Sequence, residues 1–318
     1  MAKKKAKPTL TGMRPASELD IQNPKPGLYL SVPLADYLLI DAFSASQGKE
    51  ILKSPLHLDA YRRKGPDTDA LRMGSLFDCM LFDSENLERE FVKTPLTYLN
   101  EKGEEKLWAK RGNSNAARAI KDKFEEDGKL LVNRNDWDAA EEMVASATGY
   151  KPIRRILAEG IPQVTMVWVD SDTGVLCKAR VDWWRDDFLT DLKSTAEGGA
   201  QQLRWPREAK KYAYHVQAGA YVSGRSHLCG GEIVPFKFIV VEKKPPYACM
   251  AYRTGEQTMK KGHRDWQAAL RQYADCRDRN DWSRGYSDAE EVFEFISYDL
   301  VEHMTANDEI GGDDDSGI

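Results

Sequence analysis

Long hydrophobic runs are missing: no window of the 318 residues approaches eighteen consecutive apolar positions, so no membrane-spanning helix is expected. No apolar segment follows the basic opening MAKKKAKPTL either, which argues against a secretory leader and for a cytoplasmic protein. Cysteine is scarce. Cys79, Cys177, Cys229, Cys249 and Cys276 are odd in number, widely spaced and form no CxxC pair, a reduced pattern rather than a disulfide framework or a zinc knuckle. Basic charge is not in excess: 46 Lys and Arg stand against 51 Asp and Glu, a net charge of −5, which excludes a uniformly basic DNA-coating protein.

What is there is enough for a sizeable core, with 41% apolar residues of which many are aromatic. Charge is sorted by position. Lys3, Lys4, Lys5, Lys7 and Arg14 lie together at one end with no acid among them. Asp308, Glu309, Asp313, Asp314 and Asp315 lie together at the other with no base. The two ends cancel, and a local basic groove beside an acidic metal site stays allowed. Residues 1–26 read as a flexible basic arm, 27–305 as a single domain and 306–318 as a flexible acidic tail.

Ser44-Ala45-Ser46 is expected to cap a helix that stops near Ser54-Pro55. Asp69 is expected to cap a buried helix over ALRMGSLFDCMLF, and the charged stretch 101–149 to be helical with breaks at Gly112 and Gly128. From Gln163 the hydrophobic period changes to two. Gln163–Asp170 and Val175–Trp184 flank the turn Ser171-Asp172-Thr173-Gly174 and read as a hairpin, with Phe188–Ser194 as a third strand. A helix from Pro206 to Tyr221, strands Val234–Glu242 and Ala248–Tyr252, and a last helix from Glu256 to Arg277 complete an α/β sheet covered on its faces by helices.

Strand alternation makes the middle of this sheet informative. In the second strand Val175, Cys177, Ala179, Val181 and Trp183 share one face, and Leu176, Lys178, Arg180, Asp182 and Trp184 the other. In the third, Asp191 and Lys193 share a face. Antiparallel neighbours would therefore set Asp182 beside Asp191 with Lys193 next to them. Two carboxylates forced together repel unless a cation sits between them, and hard oxygen ligands favour Mg²⁺ or Mn²⁺. A lysine there can orient an attacking water or neutralise charge growing on a phosphate. An isolated Asp-x-Lys is ordinarily a cross-strand ion pair. Here an aspartate nine residues upstream completes D-x8-D-x-K.

Val181-Asp182 followed by Asp191-Leu192-Lys193 resembles the PD-(D/E)xK nuclease core, and the surrounding sequence resembles its exonuclease VIII (RecE-type) branch from phages and prophages. The matching pieces are Gly27-Leu28-Tyr29, Asp36-Tyr37, Phe43-Ser44-Ala45-Ser46, Leu52-Lys53-Ser54-Pro55, the glycine-led Met73-Gly74-Ser75-Leu76-Phe77-Asp78, and Tyr214-His215-Val216-Gln217 with Tyr221. They run in the family's order over roughly 27–225. Two positions depart: Asp78 stands where related sequences usually carry His, and Gln163 where they usually carry Glu. An amide is a poorer metal ligand than a carboxylate.

The resemblance implies a restriction-endonuclease-like α/β core, a central mixed sheet flanked by helices. It implies a Mg²⁺-dependent 5′→3′ exonuclease on linear double-stranded DNA, which leaves 3′ overhangs for a RecT-type annealing protein in phage-type recombination. It also implies a ring-like homo-oligomer in a bacterial host cell. In it Asp78, Asp182, Asp191 and the Leu192 carbonyl hold the metal, Lys193 orients the water, and Gln217 and Tyr221, which share a helix face at i, i+4, position the scissile strand. The segment 201–221 is the candidate DNA-facing element: Arg204, Arg207, Lys210 and Lys211 against Glu208, interleaved with Trp205, Tyr212 and Tyr214. The plain alternative makes these aromatics core and these cations solvated. Cys229, Cys249 and Cys276, 20 and 27 residues apart, give no tight group for an iron–sulfur cluster, and none is expected. A further alternative is a DNA-end-binding or scaffolding protein whose catalysis has weakened, motivated by Asp78 and Gln163.

Overall fold

The computed structural model describes residues 12–64, 68–108 and 115–287. Strand β1 (Met13–Pro15) leads through a short 3-10 turn to β2 (Gly27–Leu30). Helix α1 (Leu34–Leu39), the two-residue β3 (Phe43–Ser44), α2 (Ala45–Ile51), α3 (Pro55–Lys64) and α4 (Thr68–Phe82) follow. A peripheral group comprises α5 (Leu87–Glu90), β4 (Phe91–Lys93), β5 (Thr97–Leu99), β6 (Glu105–Leu107), α6 (Asn115–Glu126) and β7 (Leu130–Val132). Helices α7 (Arg134–Gly149) and α8 (Lys151–Leu157) return the chain to the centre. There β8 (Ile161–Val169), β9 (Leu176–Arg185) and β10 (Phe188–Thr195) form a meander. Helices α9 (Trp205–Lys211) and α10 (Tyr214–Leu228), strands β11 (Phe236–Glu242) and β12 (Cys249–Arg253), and α11 (Glu256–Arg279) complete the described fold.

The main sheet runs β1-β2-β8-β9-β10-β11-β12, with β3 beside β9. It is mixed: β10 and β11 are parallel, as their crossover through α9 and α10 requires, while β8–β9, β9–β10 and β11–β12 are antiparallel. One face packs on α2, α10 and α11 through Ile51, Val216, Trp266 and Leu270 against Val164, Met166 and Ala179. The other packs on α4, α7 and α8 through Leu76, Phe77, Met143 and Ile153 against Ile239 and Val241. The result is the helix–sheet–helix layering expected of this α/β class. No helix among the described residues is long and apolar enough to cross a membrane.

Local chemistry accounts for several boundaries. Ser44 caps α2 with a reciprocal capping box: its Oγ accepts from the Gln47 N–H, and Gln47 Oε1 accepts from the Ser44 N–H at 2.9 Å. Helices α10 and α11 cross at Gly219 and Gly262, where a Cβ on Gly262 would lie 2.0 Å from the His215 carbonyl oxygen. Only glycine permits that approach.

Four expectations need correcting. The part of the expected arm 1–26 that is described is not free chain, because Met13–Pro15 adds a parallel strand to β2 and Leu19 is buried with Tyr29 and Val32. The stretch 101–149 is not all helical: β5 and β6 form a hairpin within it, and β7 pairs with β4. The helix read over 206–221 is two helices, α9 and a longer α10, parted at Ala213 in the left-handed region (φ 49°, ψ 43°). Helix α4 begins at Thr68, which puts Asp69 inside its first turn rather than at its cap. The basic residues before Gly12 and the acidic tail lie outside the described residues.

Candidate active site at the fork of β9 and β10

The central strands part where the acidic residues sit. β10 pairs with β9 only over Trp183–Arg185, and β3 takes the same edge of β9 at Cys177 and Lys178. Among the described residues, Ala179 to Asp182 have no ladder partner on that edge. The last β9–β10 pair is Trp183 with Thr190, so the register sets Asp182 and Asp191 opposite one another just inside the fork. Instead of a backbone bond there, Asp182 Oδ2 accepts the Leu192 N–H at 2.7 Å. A side chain has replaced a rung of the ladder.

The strict alternation expected along β9 fails at this point. Val181 and Trp184 enter one core while Trp183 packs in the other and donates its indole N–H to the Ile156 carbonyl at 3.1 Å. The partner strand changes face in the same place without a change of register: Ile161 and Val164 contribute to one core across Gln163, which has φ 52°. A left-handed glutamine inside a strand is strained by about 1–3 kcal/mol, a feature that concentrates at functional sites.

The residues named from the sequence divide cleanly. Asp182, Asp191, Lys193, Asp78, Gln217 and Tyr221 are brought to the fork. Lys193 forms an ion pair with Asp191 Oδ2, and the Gln217 amide donates to Asp191 Oδ1. Gln217 thus holds a carboxylate rather than standing free for a strand of substrate. Tyr221 is buried behind it and lines a cleft of about 290 Å³ with Tyr37, Ser44, Ser46, Arg62 and Lys178. On the other flank Gln163 Nε2 donates to Asp78 Oδ2. Arg204, Arg207, Lys210 and Lys211 lie exposed on and just before α9, while Trp205 is buried. Tyr214 is half-buried and stacks with Trp205 and with the exposed Tyr212, at centroid distances of 5.6 and 5.7 Å. The basic patch is therefore on the surface and joined to the acidic fork by a run of aromatic rings.

Two further residues of the site carried no motif signal. Arg180, on β9, acts on Asp78 electrostatically and has a buried Nε without a hydrogen-bond partner among the described residues. Lys49, on α2, stands over the Tyr214 ring. Arg180 shares the strand face of Asp182 by alternation but belongs to no motif, and Lys49 has no spacing that marks it; the packing of α2 brings it in.

Burial dominates the electrostatics. It raises the Asp78 carboxyl to about 7, against the lowering pull of Arg180 and the Gln163 hydrogen bond, with Asp191 adding to the rise. It raises Asp182 well above the usual carboxylate range, and the nearby Asp191 and Asp78 push the same way. Burial works against the Lys193 ammonium too, but Asp191 and Asp182 outweigh it and hold the lysine above its ordinary value. Asp78 and Asp182, both raised by burial and by neighbouring carboxylates, stand with Asp191 as hard oxygen donors that suit a divalent cation. Asp78 Oδ1 and Gln163 Oε1 are buried acceptors with no hydrogen-bond partner among the described residues, which fits the same reading. No three His, Cys, Asp or Glu side chains among the described residues already converge as a metal cluster. Asp78, Asp182 and Asp191 would hold the ion only after closing on it, with the Leu192 carbonyl and the Gln163 amide as neutral donors.

An α/β sheet that forks at an aspartate and carries Asp-x-Lys on the next strand defines a PD-(D/E)xK-type domain. Residues 44–292 match the family described as a PDDEXK-like domain of unknown function (DUF3799), and the chain belongs to that family. The superfamily and the fold class read from Asp182, Asp191 and Lys193 are thereby borne out. Among solved structures, the chain is similar to a candidate exonuclease from Eubacterium rectale at 16% identity and a TM-score of 0.48, over 84% of this chain and 93% of that one. It is also similar to a phage-related exonuclease from Haemophilus somnus at 11% identity and a TM-score of 0.34, over 76% of this chain and 96% of that one. No curated protein matches.

Proposed function

We infer that the protein is a divalent-metal-dependent nuclease that digests linear double-stranded DNA from its ends. The observation that carries this reading is the fork: Asp182 and Asp191 face each other, and Lys193 is ion-paired to Asp191 in a buried site. A bound Mg²⁺ or Mn²⁺ would supply Lewis acidity at the scissile phosphate and an activated water. The chain's own contribution is positioning. Gln217 fixes Asp191 from α10, the Leu192 N–H fixes Asp182, and Gln163 fixes Asp78. Lys193, held protonated by its two aspartates, cannot take a proton at Nζ; it donates a hydrogen bond to the attacking water or to a phosphate oxygen. The exposed Arg204, Arg207, Lys210 and Lys211 hold the duplex backbone, and Tyr214 and Tyr221 border the path of the strand.

The finer features rest on the sequence resemblance: 5′→3′ polarity, 3′ overhangs handed to a RecT-type annealing protein, and a ring-like homo-oligomer working in a bacterial cytoplasm. Linear and covalently closed duplexes incubated with Mg²⁺ or EDTA test the reading. Metal-dependent loss of the linear form alone is the expected result; equal cutting of closed circles would make it an endonuclease. The amide at Gln163 favours a second reading, a DNA-end-binding or scaffolding protein with weakened catalysis, which would hold duplex ends tightly and release no nucleotides.

A further inference from the structure

Among the described residues, the Lys49 ammonium at the fork makes no ion pair. The capping box at Ser44 fixes the first turn of α2, and Gly48 lies flat on α11, where a Cβ would come within 2.9 Å of the Trp266 ring. That close seat carries the next residue, Lys49, towards the site. Its ammonium stands 4.8 Å from the centroid of Tyr214, and the Lys193 ammonium stands 4.9 Å from the same centroid. Tyr214 stacks with both Tyr212 and Trp205, and its ring is a shared platform for the two lysines. Lys193 is committed to Asp191. Lys49 has no hydrogen bond or ion pair among the described residues, and its only close contact of this kind is the ring face. A second ammonium placed beside Lys193 is unfavourable in the protein alone, because the nearby carboxylates are already ion-paired, Asp191 to Lys193 and Glu50 to Lys53. Burial and then Lys193 push it down to about 7, outweighing the opposite pull of Asp191 and Glu50. An incoming anion relieves both effects.

We propose that Lys49 is a DNA-phosphate-binding residue, whose ammonium takes a backbone phosphate of the strand lying across Tyr214 at the Asp182–Asp191 fork. The proposal rests on the nuclease reading and adds to it a contact that no motif supplies. Lys193 serves the phosphate being cleaved, and Lys49 a phosphate beside it, so the strand is gripped on both sides of one ring. Each phosphate neutralised by a protein cation releases counterion, which makes the contact countable: the slope of log affinity against log salt changes by about 0.9 per contact on duplex DNA.

The test is binding of a labelled blunt linear duplex by the full chain in EDTA, over a salt series, for wild type, Lys49→Gln, Lys49→Met and Lys49→Arg. Lys49→Met retains the length of the stem and guards against a packing defect, and thermal midpoints confirm that each variant is folded. The expected result is a slope shallower by about one unit in Lys49→Gln and Lys49→Met, with Lys49→Arg matching wild type. Folded neutral variants with the wild-type slope would overturn the assignment of Lys49 and leave the nuclease reading standing. A wild type that binds no linear duplex at all would overturn both.

Discussion

Asp182 Oδ2 accepts the Leu192 N–H at 2.7 Å across the fork of β9 and β10, so the residue that ends the ladder is also a candidate metal ligand. The opening of the sheet and the placing of the carboxylate are one event. Asp182→Asn keeps an acceptor for Leu192 and removes a charge that Asp191 and Asp78 oppose. It is expected to abolish cleavage while raising the stability of the metal-free protein by about 1 kcal/mol, as relief of strained active-site charge commonly does. Thermal unfolding in EDTA checks it.

Asp78 gives a pH signature. Burial raises its carboxyl to about 7, so between the unfolded value near 4 and that point the folded chain holds a proton the unfolded chain has lost. Stability contributed by that proton is complete below the unfolded pKa and is lost as pH rises to 7. Wild type and Asp78→Asn in EDTA are therefore expected to melt together near pH 4 and to separate towards pH 8, with the variant the more stable. Parallel curves at every pH would remove the buried charge from the explanation.

Gln163→Glu places a fourth carboxylate against Asp78. Without metal it is expected to lower the melting temperature, since the Gln163 amide now donates to Asp78. With metal it is expected to tighten Mg²⁺ binding several-fold, because a carboxylate is the better hard ligand. Titration calorimetry of the two proteins decides between this and a purely structural amide.

Gly262→Ala would set a methyl group 2.0 Å from the His215 carbonyl oxygen and force α10 from α11. A loss of about 1–3 kcal/mol by chemical denaturation is expected, the usual cost of overpacking. Because α10 carries Gln217, the same variant is expected to lose cleavage activity as well.

Much of the centre is legible in the sequence because its signals are local. The capping box at Ser44 and Gln47, the turn at Ser171 to Gly174, and the pattern of β8 to β10 each depend on neighbours in sequence. The register of two adjacent strands joined by a short turn is enough to set Asp182 opposite Asp191. The misses have a common cause in contacts between distant segments. Ala213 adopts a left-handed conformation with no glycine to mark it, so α9 and α10 read as one helix. Gln163 adopts a positive φ, and the inward face of both strands reverses there, at a point where period-two reasoning carries on unchanged. Met13–Pro15 pairs with β2 although its sequence looks like an arm, and Lys49 enters the site only because Gly48 seats α2 on Trp266.

The most direct test of the nuclease assignment follows label from a 5′-end-labelled linear duplex with Mg²⁺, using wild type, Asp191→Ala and Lys193→Ala. Wild type is expected to release labelled nucleotide from the ends. Both variants are expected to be slower by about 10³-fold or more while still binding those ends, since each removes a group that acts on the phosphate at the fork. Release by the variants at the wild-type rate, or none by wild type with any divalent cation, would contradict a nuclease centre at Asp182, Asp191 and Lys193.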